Sequence, residues 1–332
     1  MKLKAVLIGA GKIGVSYAYD IKIAQYYKYS SHAQILHSHP NYDWIGVIDK
    51  NIHLARKTAL DWNLKYFSQD LKLLKEINPD IVVLATPPHD RFNMLKEMPS
   101  LKGIIFEKPL GISYEESKKI IEFCEEKKIL AQVNFWMRAE NNLIKLTTEL
   151  NKIIGNIIFC RCIYGNGVLN NGSHLIDFFR FLFKEPKYLI GTSPVSYSLE
   201  YPLKDDVDWN FTLQFPNNLN VAFQAIDYSK CRLFEVDLFG ENGHLRIFND
   251  GLNMSISPIK KHEILENYNQ YDEINIQQIK IDPSMSMYNL YTNFYDAIFN
   301  GSELISSARG ALNSFKIIDS IKNSQPVKSL IN

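Results

Sequence analysis

No apolar run in this sequence approaches the roughly 18 residues that signal a membrane-crossing helix, so no membrane span is expected. Net charge is equally scarce, at +1 over 332 residues. Such a balance offers no basic face for nucleic acid and no case for an acidic surface as partner. Cysteine is sparse: Cys124, Cys160, Cys162 and Cys231 lie scattered along the chain. Cys160 and Cys162 can share a strand face, but two ligands do not make a zinc site, and no metal is predicted. Reduced, structural thiols fit a cytoplasmic protein. The apolar stretch behind the two early lysines is too short for a signal peptide. Internal repeats and low-complexity linkers are lacking as well.

What is present begins with Ala5-Val6-Leu7-Ile8 followed by Gly9-Ala10-Gly11-Lys12-Ile13-Gly14. A buried strand that ends in G-x-G-x-x-G and turns into a helix is how an α/β protein holds a dinucleotide. Gly9 allows the tight turn, Gly11 lets the backbone approach a pyrophosphate, and Gly14 lets helix and strand pack closely. The helix N-terminus offers free N–H groups to the phosphates. A plain glycine-rich turn matches the same letters, so context decides. Lys12 and Ile13 complete the predicted loop.

The next apolar run, Trp44 to Ile48, ends at Asp49. A carboxylate there accepts hydrogen bonds from the adenosine ribose hydroxyls and repels a 2′-phosphate, which predicts NAD over NADP. Asp49 lies about 40 residues beyond Gly9, where the fingerprint expects roughly 20. The extra length is Tyr17 to Pro40, which two short helices can fill, the second near Ser31 to Ser38.

Short apolar runs then alternate with helical patterns up to about residue 134, at Ile81–Leu84, Ile104–Phe106 and Leu130–Val133. That alternation predicts a doubly wound parallel sheet. Ser113 with Glu116 reads as a capping box. Beyond residue 134 the pattern changes. A helix over Ala139–Leu150, a strand over Ile157–Tyr164 and a helix over His174–Phe183 precede a mostly β stretch to about Ile281. Its turns, at Pro216-Asn217-Asn218, Gly240–Gly243 and Asn249-Asp250-Gly251, predict an antiparallel sheet. Helices over Met287–Phe299 and Ala308–Lys322 close the chain. The expected fold is therefore α/β: a dinucleotide-binding domain over 1–134, and a substrate-binding and oligomerisation domain over 135–332.

Three further places carry chemistry. Thr86, Pro87 and His89 follow the run Ile81–Leu84, where ligands bind beyond the carboxyl ends of strands. Proline makes a rigid wall there, against which a nicotinamide or ribose can lie; an ordinary rigid turn is the plainer alternative. His89 is grouped with the cofactor residues, although His89 and Arg91 read as solvated rather than catalytic. Glu107 and Lys108 follow Ile104–Phe106. A lysine at that edge can stabilise a developing alkoxide or relay a proton, or simply pair with Glu107. Finally, Gly172 and Ser173 start a helix that carries His174 in its first turn. A histidine suits removal of a hydroxyl proton as hydride leaves. Asp177 either orients that ring or pairs with Arg180.

The segments GAGKIG, ATPP, FEKPLG and GSHLID occur together and in the order found in the Gfo/Idh/MocA oxidoreductases, the family of glucose–fructose oxidoreductase and inositol 2-dehydrogenase. The chain resembles that family over nearly its whole length. The resemblance implies an N-terminal Rossmann domain and a C-terminal α/β domain with a large, open, mainly antiparallel sheet that mediates homodimers or homotetramers. It maps the family lysine onto Lys108 and the family histidine onto His174. Many family dehydrogenases carry an aspartate four residues before that histidine, where this chain has Asn170. Asparagine holds no charge against an imidazolium, so Asn170 is expected to serve as a substrate contact instead.

The function expected is an NAD-dependent oxidoreductase acting on a secondary alcohol or ketone of a sugar, cyclitol or sugar nucleotide. An NAD-dependent glycosidase on the same scaffold and a non-catalytic NAD-binding sensor are the alternatives.

Overall fold

The computed structural model describes residues 1–195, 197 and 201–324. It divides into two compact units. The first comprises Met1–Ala139 with Pro283–Phe315, and the second Glu140–Asp282 with Lys316–Asn332. This differs from a single cut after residue 134. The reason is the helix Pro283–Asn300, whose Met287, Tyr291 and Phe294 pack in one core with Leu3, Leu7, Tyr42, Ile81 and Ile105. A helical pattern shows that such a face is apolar, but not which sheet it covers.

The first unit is a six-stranded sheet in the order β3-β2-β1-β4-β5-β6. Its strands are β1 Leu3–Ile8, β2 Tyr42–Ile48, β3 Tyr66–Ser68, β4 Ile81–Leu84, β5 Gly103–Phe106 and β6 Leu130–Val133. All its pairings are parallel. This is the doubly wound order that puts a ligand at the switch beside β1 and β4. β4 and β5 are buried along their whole length, as strands covered on both faces must be. Ser113 Oγ accepts from the Glu116 N–H, while the Glu116 carboxylate reaches back to the N–H of Ile112, so the capping box forms with a one-residue shift.

The expected helix behind the glycine loop is interrupted. Val15 N–H bonds Gly11 C=O, a first helical turn, and the chain then leaves the helix. It returns at His32, whose N–H bonds Ile13 C=O, with Ala33 N–H on Gly14 C=O. In an unbroken helix those partners are residues 17 and 18. Residues 17–31 are thus an excursion that leaves the helix register intact, and the helix His32–Ser38 continues under an N-cap at Ser31. The excursion accounts for the long spacing to Asp49.

The second unit is built on β7 Ile157–Tyr164, β8 Tyr188–Val195, β9 Asp208–Gln214, β10 Asn220–Ala225, β11 Glu235–Gly240, β12 Gly243–Phe248, β13 Asn253–Lys261, β14 Asn269–Tyr271 and β15 Gln277–Lys280. They form one sheet in the order β14-β13-β12-β11-β7-β10-β9-β8, with β15 also on β13. Among the described residues, only the β7–β10 pairing of this sheet is parallel. The expected turns at 216–218, 240–243 and 249–251 fall where consecutive antiparallel strands are joined. Cys160, Cys162 and Tyr164 alternate inward from β7 and are fully buried, while Phe159 and Arg161 face outward and are exposed. The amphipathic helices Asn141–Ile154 and Ser173–Phe183 supply buried Leu143, Leu146, Leu150 and Phe179. Among the described residues, no helix is long and apolar enough to cross a membrane.

Candidate active site

In the first unit the strand ends line up. Gly9, Ala85, Glu107 and Asn134 are the residues directly after β1, β4, β5 and β6, and the ladder carries on through them: Ala85 N–H bonds Ile8 C=O, Glu107 N–H bonds Leu84 C=O, and Asn134 N–H bonds Phe106 C=O. One row of the carboxyl edge therefore holds Gly9 and Glu107, with Thr86 and Lys108 each one residue beyond it.

The glycine loop fits a dinucleotide. Gly9 has φ of +97°, and a Cβ there would lie 2.8 Å from Ala85 O. A Cβ on Gly14 would lie 2.1 Å from Gly9 O. Around Gly11, by contrast, a Cβ would meet nothing within 4 Å, which leaves the backbone open to a pyrophosphate. Lys12 is exposed and Ile13 half-buried. Asp49 Oδ2 accepts from Ala10 N–H at 2.8 Å, and Oδ1 from Asn51 N–H at 2.9 Å. Its carboxylate is thereby fixed against the glycine loop, with lone pairs left for ribose hydroxyls.

After β4, Thr86 is half-buried, and its Oγ1 is buried without a hydrogen-bond partner among the described residues. A buried hydroxyl in that state suits a bound polar group. Pro87 and His89 are exposed. Arg91 is a correction: it was expected in solvent and is 1% exposed. Its guanidinium donates to Glu107 O and Pro109 O, each at 2.6 Å, to Leu110 O at 3.2 Å and to Thr86 O. Burial lowers its pKa to about 10, against the pull of Glu107 and Glu116, so it remains a cation. One side chain thus ties the loop after β4 to the loop after β5. The spacing of a polar loop residue gave no sign of this.

Lys108 is half-buried, and Glu107 is buried. Glu107 Oε1 accepts from His32 Nε2 at 3.0 Å and from Asn134 Nδ2 at 2.6 Å. Neither His32 nor Asn134 was singled out in the sequence, because each matters only through residues distant in the chain.

In the second unit, a π-helical turn over Val168–Gly172 runs into the helix Ser173–Phe183, and His174 lies half-buried in its first turn. Asn170 Nδ2 donates to Asn166 O at 3.2 Å, and Asn170 O accepts from Ser173 Oγ at 3.0 Å. The turn rests on two buried acids that the sequence reading missed. Asp206 accepts from the N–H groups of Leu169 and Asn170, and Asp208 from Gly167 N–H at 2.9 Å. Burial raises both carboxyl groups, Asp208 to about 6, although these N–H bonds oppose it. Lys322 Nζ lies 3.6 Å from Asp206. Position 170 is neutral, yet a carboxylate abuts its backbone. Asp177 pairs with Arg180 at 3.2 Å, both buried.

Residues 3–135 match the oxidoreductase family with an NAD-binding Rossmann fold, Gfo/Idh/MocA. The stretch 3–135 thus resembles the NAD-binding Rossmann unit of that family. The rhizopine catabolism protein MocA of Rhizobium meliloti is 24% identical over 128 residues, which are 36% of this chain and 40% of that protein. The chain thus matches less than half the length of that relative. Levoglucosan dehydrogenase, solved with NADH and L-sorbose, superposes with a TM-score of 0.73 at 17% identity over 98% of this chain and 97% of that one. An oxidoreductase from Agrobacterium radiobacter, solved with NAD+, L-tartaric acid and magnesium, gives 0.71 at 15% identity over 98% of both chains. At such identities the likeness is one of fold, and it extends over both units.

Proposed function

We propose that the chain is an NAD-dependent oxidoreductase that moves hydride between nicotinamide and a secondary alcohol or ketone of a sugar, cyclitol or sugar nucleotide. The observation that carries this reading is Lys108 at the carboxyl end of β5, one residue beyond the strand-end row where the glycine loop of a family-matched NAD unit begins. The sugar-like substrate draws support from the levoglucosan dehydrogenase and its L-sorbose.

When bound, NAD accepts or supplies the hydride. In the oxidation, His174 takes the hydroxyl proton through its ring nitrogen and returns it in the reduction. Lys108 offers a positive charge to a developing alkoxide. Asn170 holds a substrate hydroxyl through its amide. Thr86, Pro87, His89 and Glu107 border the nicotinamide half of the cofactor. Single-turnover hydride transfer, screened over sugars, cyclitols and sugar nucleotides, tests this reading. His174→Ala should lose about 10²–10⁴-fold in rate with little change in NAD affinity. Near wild-type transfer in that variant would remove His174 from the acid/base role. The neutral Asn170 favours a second reading, an NAD-binding sensor, which would bind cofactor and turn over none of the panel.

We also propose that the outward face of the second unit's sheet closes on a second copy. That face carries exposed Phe159 beside a lattice of Arg161, Asp237 and His244, with Arg246 on Glu235. A broad, partly apolar face of this kind suits an isologous contact. Light scattering at micromolar concentration should give at least a dimer; a monomer would refute the contact.

A further inference from the structure

The guanidinium of Arg91 divides its bonds between two loops. Nη1 donates to Glu107 O and Pro109 O, each at 2.6 Å, and to Leu110 O at 3.2 Å. Nη2 donates to Thr86 O. Lys108 therefore sits between two residues whose carbonyls one nitrogen holds. The other nitrogen of the same rigid plane holds the loop after β4. None of the roles above uses this arrangement.

The local backbone shows why such a group is needed. Glu107 N–H bonds Leu84 C=O, and the chain then leaves the strand. Residues 107–113 form neither helix nor strand. Their far end is fixed at Ile112, whose N–H bonds the Glu116 carboxylate in the first turn of the helix Tyr114–Glu126. Between these points Glu107, Pro109 and Leu110 are buried, and a buried carbonyl needs a donor. A planar guanidinium with five donors meets several carbonyls at once, whereas an ammonium presents all its donors from one nitrogen.

We propose that Arg91 is a positioning residue for Lys108: its fork clasps the backbone on both sides of the lysine and ties it to the loop of Thr86 and Pro87, so that the two loops keep one fixed spacing. The inference rests on the reading of Lys108 as the group that faces a developing alkoxide and of Thr86 and Pro87 as a border of the nicotinamide. A misplacement of about 1 Å at a reacting centre costs about 100-fold in rate.

Arg91→Ala in the full chain, with and without guanidinium chloride, tests this. Hydrogen exchange by mass spectrometry should quicken in both 84–90 and 107–112. Single-turnover hydride transfer should fall by about 100-fold with little change in NAD affinity, a split that a merely structural role would not produce. Millimolar guanidinium should refill the site and restore both exchange and rate, while methylammonium at the same concentration should not. Wild-type exchange over 107–112 overturns the proposal. So does a rate loss that merely follows loss of NAD binding, or wild-type hydride transfer from a loosened loop. Should Arg91→Ala fail to fold, Arg91→Lys decides. It keeps a cation but puts one nitrogen in place of two, so one loop should loosen and transfer should slow, without rescue by guanidinium. Wild-type exchange in both loops of that variant overturns the clasp. Exchange needs no substrate, so it decides the clasp even if hydride transfer is never found, and hydride transfer in the wild type stands if the clasp is absent.

Discussion

The two units place their chemistry in opposite ways. In the first, each candidate group stands directly after an apolar run that becomes a strand: Gly9 after β1, Asp49 after β2, Thr86 just beyond β4, Glu107 and Lys108 after β5. In the second, Asn170 and His174 ride a turn whose backbone N–H groups are answered by Asp206 and Asp208, 36 and 41 residues further along the chain from their partners. A parallel sheet concentrates function at one edge, and that edge recurs in the sequence with every strand. An antiparallel sheet with a helical turn above it has no such recurring address.

The most severe way to break this contrast is to remove the feature that marks the first unit. Gly14→Val adds atoms where a single Cβ already meets Gly9 O at 2.1 Å. Overpacking a tight site costs roughly 1–3 kcal/mol, and the upper end corresponds to about 100-fold in binding. NAD affinity by fluorescence titration should fall by about that factor, while circular dichroism retains the β signal of the second unit. Unchanged NAD affinity would reduce the loop to a structural turn.

That contrast also governs what could be read in advance. Five of the six strands of the first sheet were legible as apolar runs, while β3, three residues at the edge, carried too little hydrophobicity to stand out. The spans of β7 and of the closing helix Ala308–Lys322 agree with the periodicity at both ends. Arg91, His32 and Asn134 were not legible, because a buried polar residue has the same letter as a solvated one. Only its partners distinguish it, and those come from other strands and helices. The long segment before Asp49 was legible as extra length, but its way of leaving and rejoining a helix in register was not. Asp206 before β9 and Asp208 at its start stand in plain view, yet nothing local says that they serve a turn 36 and 41 residues earlier.

Two carboxylates sharpen the comparison energetically. Burial opposes ionisation of both, but its partners hold Glu107 down, whereas Asp208 stays raised at about 6. An aspartate in the unfolded chain titrates near 4. The folded state therefore holds this proton more tightly. The group's favourable contribution is complete below about pH 4 and is lost as pH rises through about 6. Asp208→Asn cannot ionise, and its amide oxygen still accepts from Gly167. Relative to wild type it should gain on the order of 2–3 kcal/mol between pH 4 and pH 7, read from thermal or urea unfolding. If the two proteins keep a constant difference in stability across that range, Asp208 does not titrate within it.

The smallest effect is expected where the first unit departs most from its pattern. Residues 17–31 leave the dinucleotide helix after its first turn and return with the backbone register kept, His32 bonding Ile13 and Ala33 bonding Gly14. On the way Tyr19 bonds Asp61 and receives the Trp62 N–H, and Tyr29 stacks on Tyr288, while Ile21 and Tyr26 lie exposed. Deleting Tyr17–Ser31 joins Ser16 to His32 at the spacing of an unbroken helix. It also removes the Ser31 cap, worth about 1 kcal/mol, but a continuous helix needs no cap at that point. NAD affinity should then stay within about 3-fold of wild type, since loop length by itself carries little free energy. The melting temperature should fall by a few degrees with the lost tyrosine contacts, roughly what 1 kcal/mol costs a protein of this size. A loss of NAD affinity beyond tenfold would mean that the excursion helps to hold the dinucleotide, and the first unit would then share the second unit's dependence on a segment outside its recurring pattern.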